Sequence, residues 1–167
     1  LYERGLSKSH ESFFSKCARQ IWFGTENAVA VYNRLILVKQ MLIAYINKLE
    51  KEDICILSIA SGSARAIIDI LPFIERKKSS VQISFLDKNS KALEHSLKLT
   101  SKQTRANFQF RFLNDTASNF VKYYETDQKL DIIEMVGLLD YFDNEKVRQL
   151  FSLIYRKLAD NGILITA

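Results

Sequence analysis

The stretch "LSIASGSARAIIDI", residues 57–70, opens as an apolar strand, breaks at a Ser/Gly turn and continues with apolar residues at helical spacing. Small side chains at such a turn let the backbone approach a ligand closely. A tight strand-to-helix connection with no ligand asks for the same residues. The two readings are separated by what the rest of the chain places around this turn.

Downstream of Ile54, short apolar runs alternate with amphipathic stretches. The runs are "ICILSIA", "VQISFL", "FQFRFL", "LDIIEMV" and "GILIT". Between them fall expected helices from about Ala64 to Arg76, Ser90 to Ser101, Ala117 to Tyr124 and Asn144 to Ala159. Alternating strands and helices predict an α/β fold with a Rossmann-like, doubly wound, mostly parallel sheet and helices on both faces. Two helices are expected before the first strand. One carries Phe13, Phe14, Cys17 and Ile21; the other runs through Val29, Tyr32, Leu35, Val38, Leu42 and Ile46, with Thr25 as its candidate N-cap. The expected organisation is an N-terminal helical extension over residues 1–52 and an α/β core over 53–167.

Bulk properties narrow the class. Of 167 residues, 47% are hydrophobic and one is proline, a composition that supports a buried core and argues against disorder. The most apolar run, "LILVKQMLIAYI", is broken by Lys39 and Gln40, short of the roughly 18 residues that span a bilayer, so no membrane span is expected. No targeting segment is legible after Leu1. Cys17 and Cys55 form no CxxC pattern, and Cys55 falls in an apolar run, which points to buried thiols in a reducing, cytoplasmic setting. His10 and His95 have no ligand partners at metal spacing, so no metal is expected. The net charge of +5 is spread along the chain and only weakly favours anionic partners.

In a parallel sheet, ligands bind beyond the carboxyl ends of the strands, where the strand order reverses. After the first strand stand Ala60, Ser61, Gly62, Ser63 and Ala64, followed by the amides of the next helix. Asp87 follows the second, about 20 residues beyond the turn, where an acid accepts ribose hydroxyls or caps the next helix. The third strand ends in Asn114 and Asp115, an amide and a carboxylate suited to an adenine edge or, equally, to capping. Glu134 is a charge inside the otherwise apolar fourth strand; it costs free energy unless paired, and it is a candidate to face the site.

Taken in order, "ILSIASGSA", "FLDKNSKAL", "FLNDTAS", "LDIIEMVGLLDYF" and "LFSLIYRKLADNGILIT" resemble the motifs of the class I S-adenosylmethionine-dependent methyltransferases over residues 54–167. The resemblance implies S-adenosyl-L-methionine as cofactor, with contacts at Ala60, Ser61, Gly62, Arg65, Asp87, Lys88, Asn114, Asp115, Val136 and Gly137. The family's usual first motif has an acid where Ser58 stands and glycines where Ala60 and Ala64 stand; Gly62 matches outright. "SGSAR" is similar to a variant subgroup in which Arg65 helps hold the methionine carboxylate and the helix containing "AVAVYNRL" covers the cofactor, making Tyr32 and Arg34 further candidates. The family fold ordinarily adds two strands after the fifth, so the chain is expected to be C-terminally incomplete.

The reaction implied is in-line methyl transfer, in which a protein chiefly orients reactants and excludes water. Asp140 and Tyr141 are candidates to face the acceptor, with a surface turn as their bland alternative. No Asn-Pro-Pro-Tyr-like segment follows the fourth strand; a small-molecule or lipid-like acceptor is therefore expected in preference to nucleic acid. A nicotinamide-dependent oxidoreductase would need G-x-G-x-x-G, and two of those glycines are absent. The alternative outside enzymology is a non-catalytic interaction module with a basic helix face made by Lys88, Lys91, His95, Lys98, Lys102 and Arg105.

Overall fold

A computed structural model describes residues 26–75, 78–103 and 105–167. The expected first helix, with Phe13, Phe14, Cys17 and Ile21, and the Thr25 cap lie outside the described residues. The second expected helix is α1 (Glu26–Lys48). After it come β1 (Asp53–Ile59), a four-residue α2 (Arg65–Ile68), β2 (Ser80–Asp87), α3 (Ser90–Thr100), β3 (Phe108–Asn114), β4 (Leu130–Met135), α4 (Asn144–Lys157) and β5 (Leu158–Thr166). Short 3-10 turns occupy Leu71–Phe73, Ala117–Tyr123 and Leu139–Tyr141.

The strands form one parallel sheet in the order β3-β2-β1-β4-β5, as the alternation in the sequence predicts. The chain winds outward from β1 to β3, then returns to lay β4 on the other side of β1. The carboxyl ends of β1 and β4 therefore flank the switch point, the expected place for a ligand. Register places Ser58 beside Glu134 and Asp87 beside Asn114.

Both sheet faces are covered, which is why the strands read as nearly continuous apolar runs. On one face, Val38, Leu42 and Ile46 of α1 and Leu93 of α3 pack with Ile56, Ile83, Phe85 and Ile132. On the other, Phe120, Leu150 and Ile154 pack with Leu57, Leu86 and Ile133. By length and composition α1 could also cross a membrane. The break at Lys39 and Gln40 therefore does not shorten it below span length as expected; Ala28, Leu35, Val38, Leu42 and Ile46 are buried, whereas Val29, Tyr32, Leu37 and Met41 stand exposed on its outer side.

Three expected elements differ in detail. The helix expected from Ala64 to Arg76 is only Arg65–Ile68 followed by the 3-10 turn at Leu71–Phe73. Pro72 is the reason: it has no N–H to donate, and its ring clashes with the carbonyl four residues back in a continuous α-helix. Ala117–Tyr123 is 3-10 rather than α-helical. At the C-terminal end α4 stops at Lys157 and β5 begins at once, with an irregularity between Leu130 and Ile132 of its partner strand. Gly162 sits in that irregular stretch, where a Cβ would lie 2.9 Å from the Leu130 carbonyl oxygen.

Candidate functional site

The turn at 60–64 has an unusual backbone. Ala60, Gly62 and Ala64 all have positive φ, at 54°, 51° and 55°. These are the three positions where the resembled motif carries glycine, and the loop keeps a left-handed conformation at each although two of them are alanine. For an L-residue this conformation costs on the order of 1–2 kcal/mol, so the surrounding structure must hold it. Two ties are evident. Ser61 N–H donates to the Leu86 carbonyl at 3.1 Å, and Ala64 N–H donates to the Ser61 carbonyl at 2.7 Å.

Asp87 supplies a third tie. One carboxylate oxygen accepts from Gly62 N–H and the other from Asn89 N–H, both at 2.8 Å. Asp87 thus joins the β1 loop to the start of α3, while Asn89 itself caps α3 by accepting from Lys91 N–H. Each carboxylate oxygen has a second lone pair, leaving Asp87 able to accept from a ligand hydroxyl as well. Asn114 donates to the Asp87 carbonyl at 3.0 Å, so the tips of β2 and β3 are also locked together.

Between this loop, α1 and the end of β4 lies a cavity of about 300 Å³. Val31, Arg34, Leu35 and Val38 of α1 form one wall, at the spacing of one helix face; Ala60, Ser61, Gly62, Arg65, Val136 and Gly137 lie opposite. Gly137, with φ of 73°, faces Arg34: a Cβ there would stand 3.7 Å from the guanidinium Nη2. Glu134 also lines the cavity, buried and receiving a hydrogen bond from Ser58 Oγ. Burial pushes its carboxyl up to about 7, against the smaller opposing effect of the Ser58 hydroxyl.

Several polar atoms of the residues lining this cavity lack hydrogen-bond partners. Arg34 Nε and Ser61 Oγ are buried without a hydrogen bond. Arg65 Nε is likewise without a well-directed hydrogen bond, although it lies 3.1 Å from Asp69 Oδ1 as an ion pair. Unpaired buried donors are costly. Their convergence on one cavity fits a ligand that presents anionic or acceptor groups there.

The structure thus gathers Ala60, Ser61, Gly62, Arg65, Val136 and Gly137 around one cavity and puts Asp87 directly behind its loop. Of the two further candidates on α1, Arg34 faces the cavity and Tyr32 lies on the exposed outer side. The helix-terminus amides are a correction. With α2 only four residues long, the cradle is the left-handed loop and the two arginines rather than a helix dipole.

Lys88 is exposed beyond Asp87. Asp115 is committed to its own turn, accepting from Thr116 N–H, Asn119 Nδ2 and Tyr123 Oη and pairing with Lys122, which hold its carboxyl well below the usual range. Asp140 and Tyr141 are exposed on the 3-10 turn after β4, outside the cavity. In the proposed basic face, Lys91, Lys98 and Lys102 are exposed, but Arg105 turns inward to the Ile74 carbonyl and the Phe108 ring. The sequence places Val31, Leu35 and Val38 on a helix expected to cover the cofactor but does not single them out as the wall of the site, although their i, i+4, i+7 spacing carries the signal; the Ser58–Glu134 pair is revealed only by strand register.

No protein-family model matches the sequence, and no characterised protein matches it by sequence. Solved structures do match by shape. A mycolic acid cyclopropane synthase, complexed with S-adenosylhomocysteine and CTAB, superposes with a TM-score of 0.61 at 18% identity over 78% of this chain and 41% of its own. A SAM-dependent methyltransferase from Agrobacterium tumefaciens gives 0.63 at 12% identity, over 80% of this chain and 44% of its own. An rRNA methylase from Streptococcus thermophilus gives 0.58 at 13% identity, over 78% and 67%. The chain spans less than half the length of the first two. Because an rRNA methylase shares the architecture, the expectation against a nucleic-acid acceptor receives no support from the fold. At 18% identity or less these likenesses show the fold: the chain has the Rossmann-like α/β fold that class I S-adenosylmethionine-dependent methyltransferases share.

Proposed function

We propose that the chain binds S-adenosylmethionine in the cavity beneath α1 and belongs to an enzyme that transfers its methyl group to a small-molecule or lipid-like acceptor. The observation that carries this reading is the convergence of Arg34 Nε, Ser61 Oγ and Arg65 on a cavity closed by a left-handed loop. These donors suit the carboxylate of the cofactor's amino-acid part, and Asp87, one strand over, suits the ribose hydroxyls. The cofactor complexes of proteins with this fold support the same reading.

The cofactor supplies an activated methyl group on a sulfonium. The chain's residues have the remaining tasks of binding, orienting and drying the site. Arg34 and Arg65 fix one end of the ligand, Asp87 fixes the sugar, and Val31, Leu35 and Val38 exclude water from one side. The apolar character of that wall supports an apolar acceptor.

Calorimetric titration with S-adenosylmethionine tests this directly. Wild-type protein is expected to bind one equivalent. Asp87→Ala is expected to weaken binding by roughly tenfold or more, as loss of a charge-assisted hydrogen bond does. Absence of binding at millimolar cofactor refutes the enzyme reading; unchanged affinity in a folded Asp87→Ala protein refutes the ribose assignment.

A further inference from the structure

Among the described residues, the cavity is lined by one carboxylate, Glu134, and two guanidinium groups, Arg34 and Arg65. Glu134 is 4% exposed and comes from the middle of the sheet, where a charge is expensive without a purpose. Its position is also specific. Ser58 and Glu134 are register partners on neighbouring parallel strands, so their side chains leave the same face, and the Ser58 hydroxyl donates to the Glu134 carboxylate. Ser58 is the position where the resembled motif carries its acid. The carboxylate missing from β1 is therefore present, one strand across, on β4.

We infer that Glu134 receives the α-ammonium group of the ligand's amino-acid part, while Arg34 and Arg65 receive its α-carboxylate, so that the cavity is built for a zwitterion. This inference rests on the cofactor reading above and deepens it. The pairing explains why a buried carboxylate shares a cavity with two arginines without forming a salt bridge to either: opposite charges held apart suit a ligand that carries both.

The raised pKa of Glu134 adds a consequence. Near neutrality the carboxyl is partly protonated, and a bound ammonium group favours the ionised form, so binding releases a proton. Among the described residues, the other charged groups facing the cavity are Arg34 from α1 and Arg65 from α2; Asp69, behind Arg65, is paired with Lys39.

The test compares S-adenosylhomocysteine with 5′-methylthioadenosine, which shares the nucleoside but lacks the amino-acid part. Titrations use wild-type chain and Glu134→Gln, a near-isosteric change that keeps an acceptor for Ser58. Glu134→Gln is expected to weaken S-adenosylhomocysteine by roughly 10- to 100-fold and to leave 5′-methylthioadenosine unchanged. Titrating wild type at pH 6.5 in two buffers of different ionisation enthalpy is expected to show proton release with S-adenosylhomocysteine alone. If S-adenosylhomocysteine binds but Glu134→Gln leaves the ratio of the two affinities intact, or if both ligands release protons equally, this inference is overturned while the cofactor reading stands. If wild type binds neither ligand, both fall together.

Discussion

Replacing Glu134 with glutamine should change how stability depends on pH, and the sign follows from burial. In the unfolded chain the carboxyl titrates near its ordinary value of 4.5; in the folded protein it titrates at about 7. Below pH 4.5 both states hold the proton and the group contributes no penalty. Between 4.5 and 7 the unfolded chain has lost the proton and the folded chain keeps it, so stability falls as pH rises. Each pH unit in that interval removes about 1.4 kcal/mol, giving a total of about 3 kcal/mol by pH 7.5. Glu134→Gln cannot ionise and escapes this loss, while other carboxyls titrate alike in both proteins. Urea unfolding at pH 4.5, 6 and 7.5, with and without the substitution, isolates the effect. The stability of the variant minus that of wild type should grow by about 3 kcal/mol from the lowest pH to the highest. A difference that stays flat across the interval would refute the claim that Glu134 is held desolvated.

Two further substitutions probe backbone rather than charge. Ala60→Gly should stabilise the protein by up to about 1 kcal/mol, because glycine adopts the left-handed loop conformation without the alanine Cβ penalty, partly offset by a freer unfolded chain; a rise in the urea midpoint at constant slope checks it. Gly162→Ala should cost on the order of 1–3 kcal/mol, since its Cβ would press on the Leu130 and Ala159 backbone; a melting temperature equal to wild type would contradict the assignment of a tight approach between β4 and β5.

The sheet was the most legible part of the molecule. Five apolar runs separated by amphipathic stretches allow few arrangements other than a parallel α/β sheet, and the runs in question became β1 to β5. The site was legible where its signal was local: Gly62 and its neighbours at a strand end, and Asp87 at the next strand tip. It was less legible where the signal depends on which strands adjoin. Glu134 reads as an isolated anomaly in sequence, and nothing within β4 reveals that Ser58, 76 residues earlier, stands beside it. The helix after the turn was overread because apolar spacing continues through Ile70 and Leu71, whereas Pro72 ends the α-helical hydrogen bonding. Asp115 illustrates the opposite difficulty: a carboxylate at a strand tip has the right address for a ligand, yet Lys122, Asn119 and Tyr123 from its own following turn engage it.

The central claim is that the space between α1, the 60–64 loop and the end of β4 is an S-adenosylmethionine site. A crystal structure of the chain grown with saturating S-adenosylhomocysteine tests it most directly. The expected result is one ligand with its amino-acid end between Arg34, Arg65 and Glu134 and its ribose against Asp87. A ligand seated elsewhere, or a cavity without ligand at saturating concentration, would contradict the account.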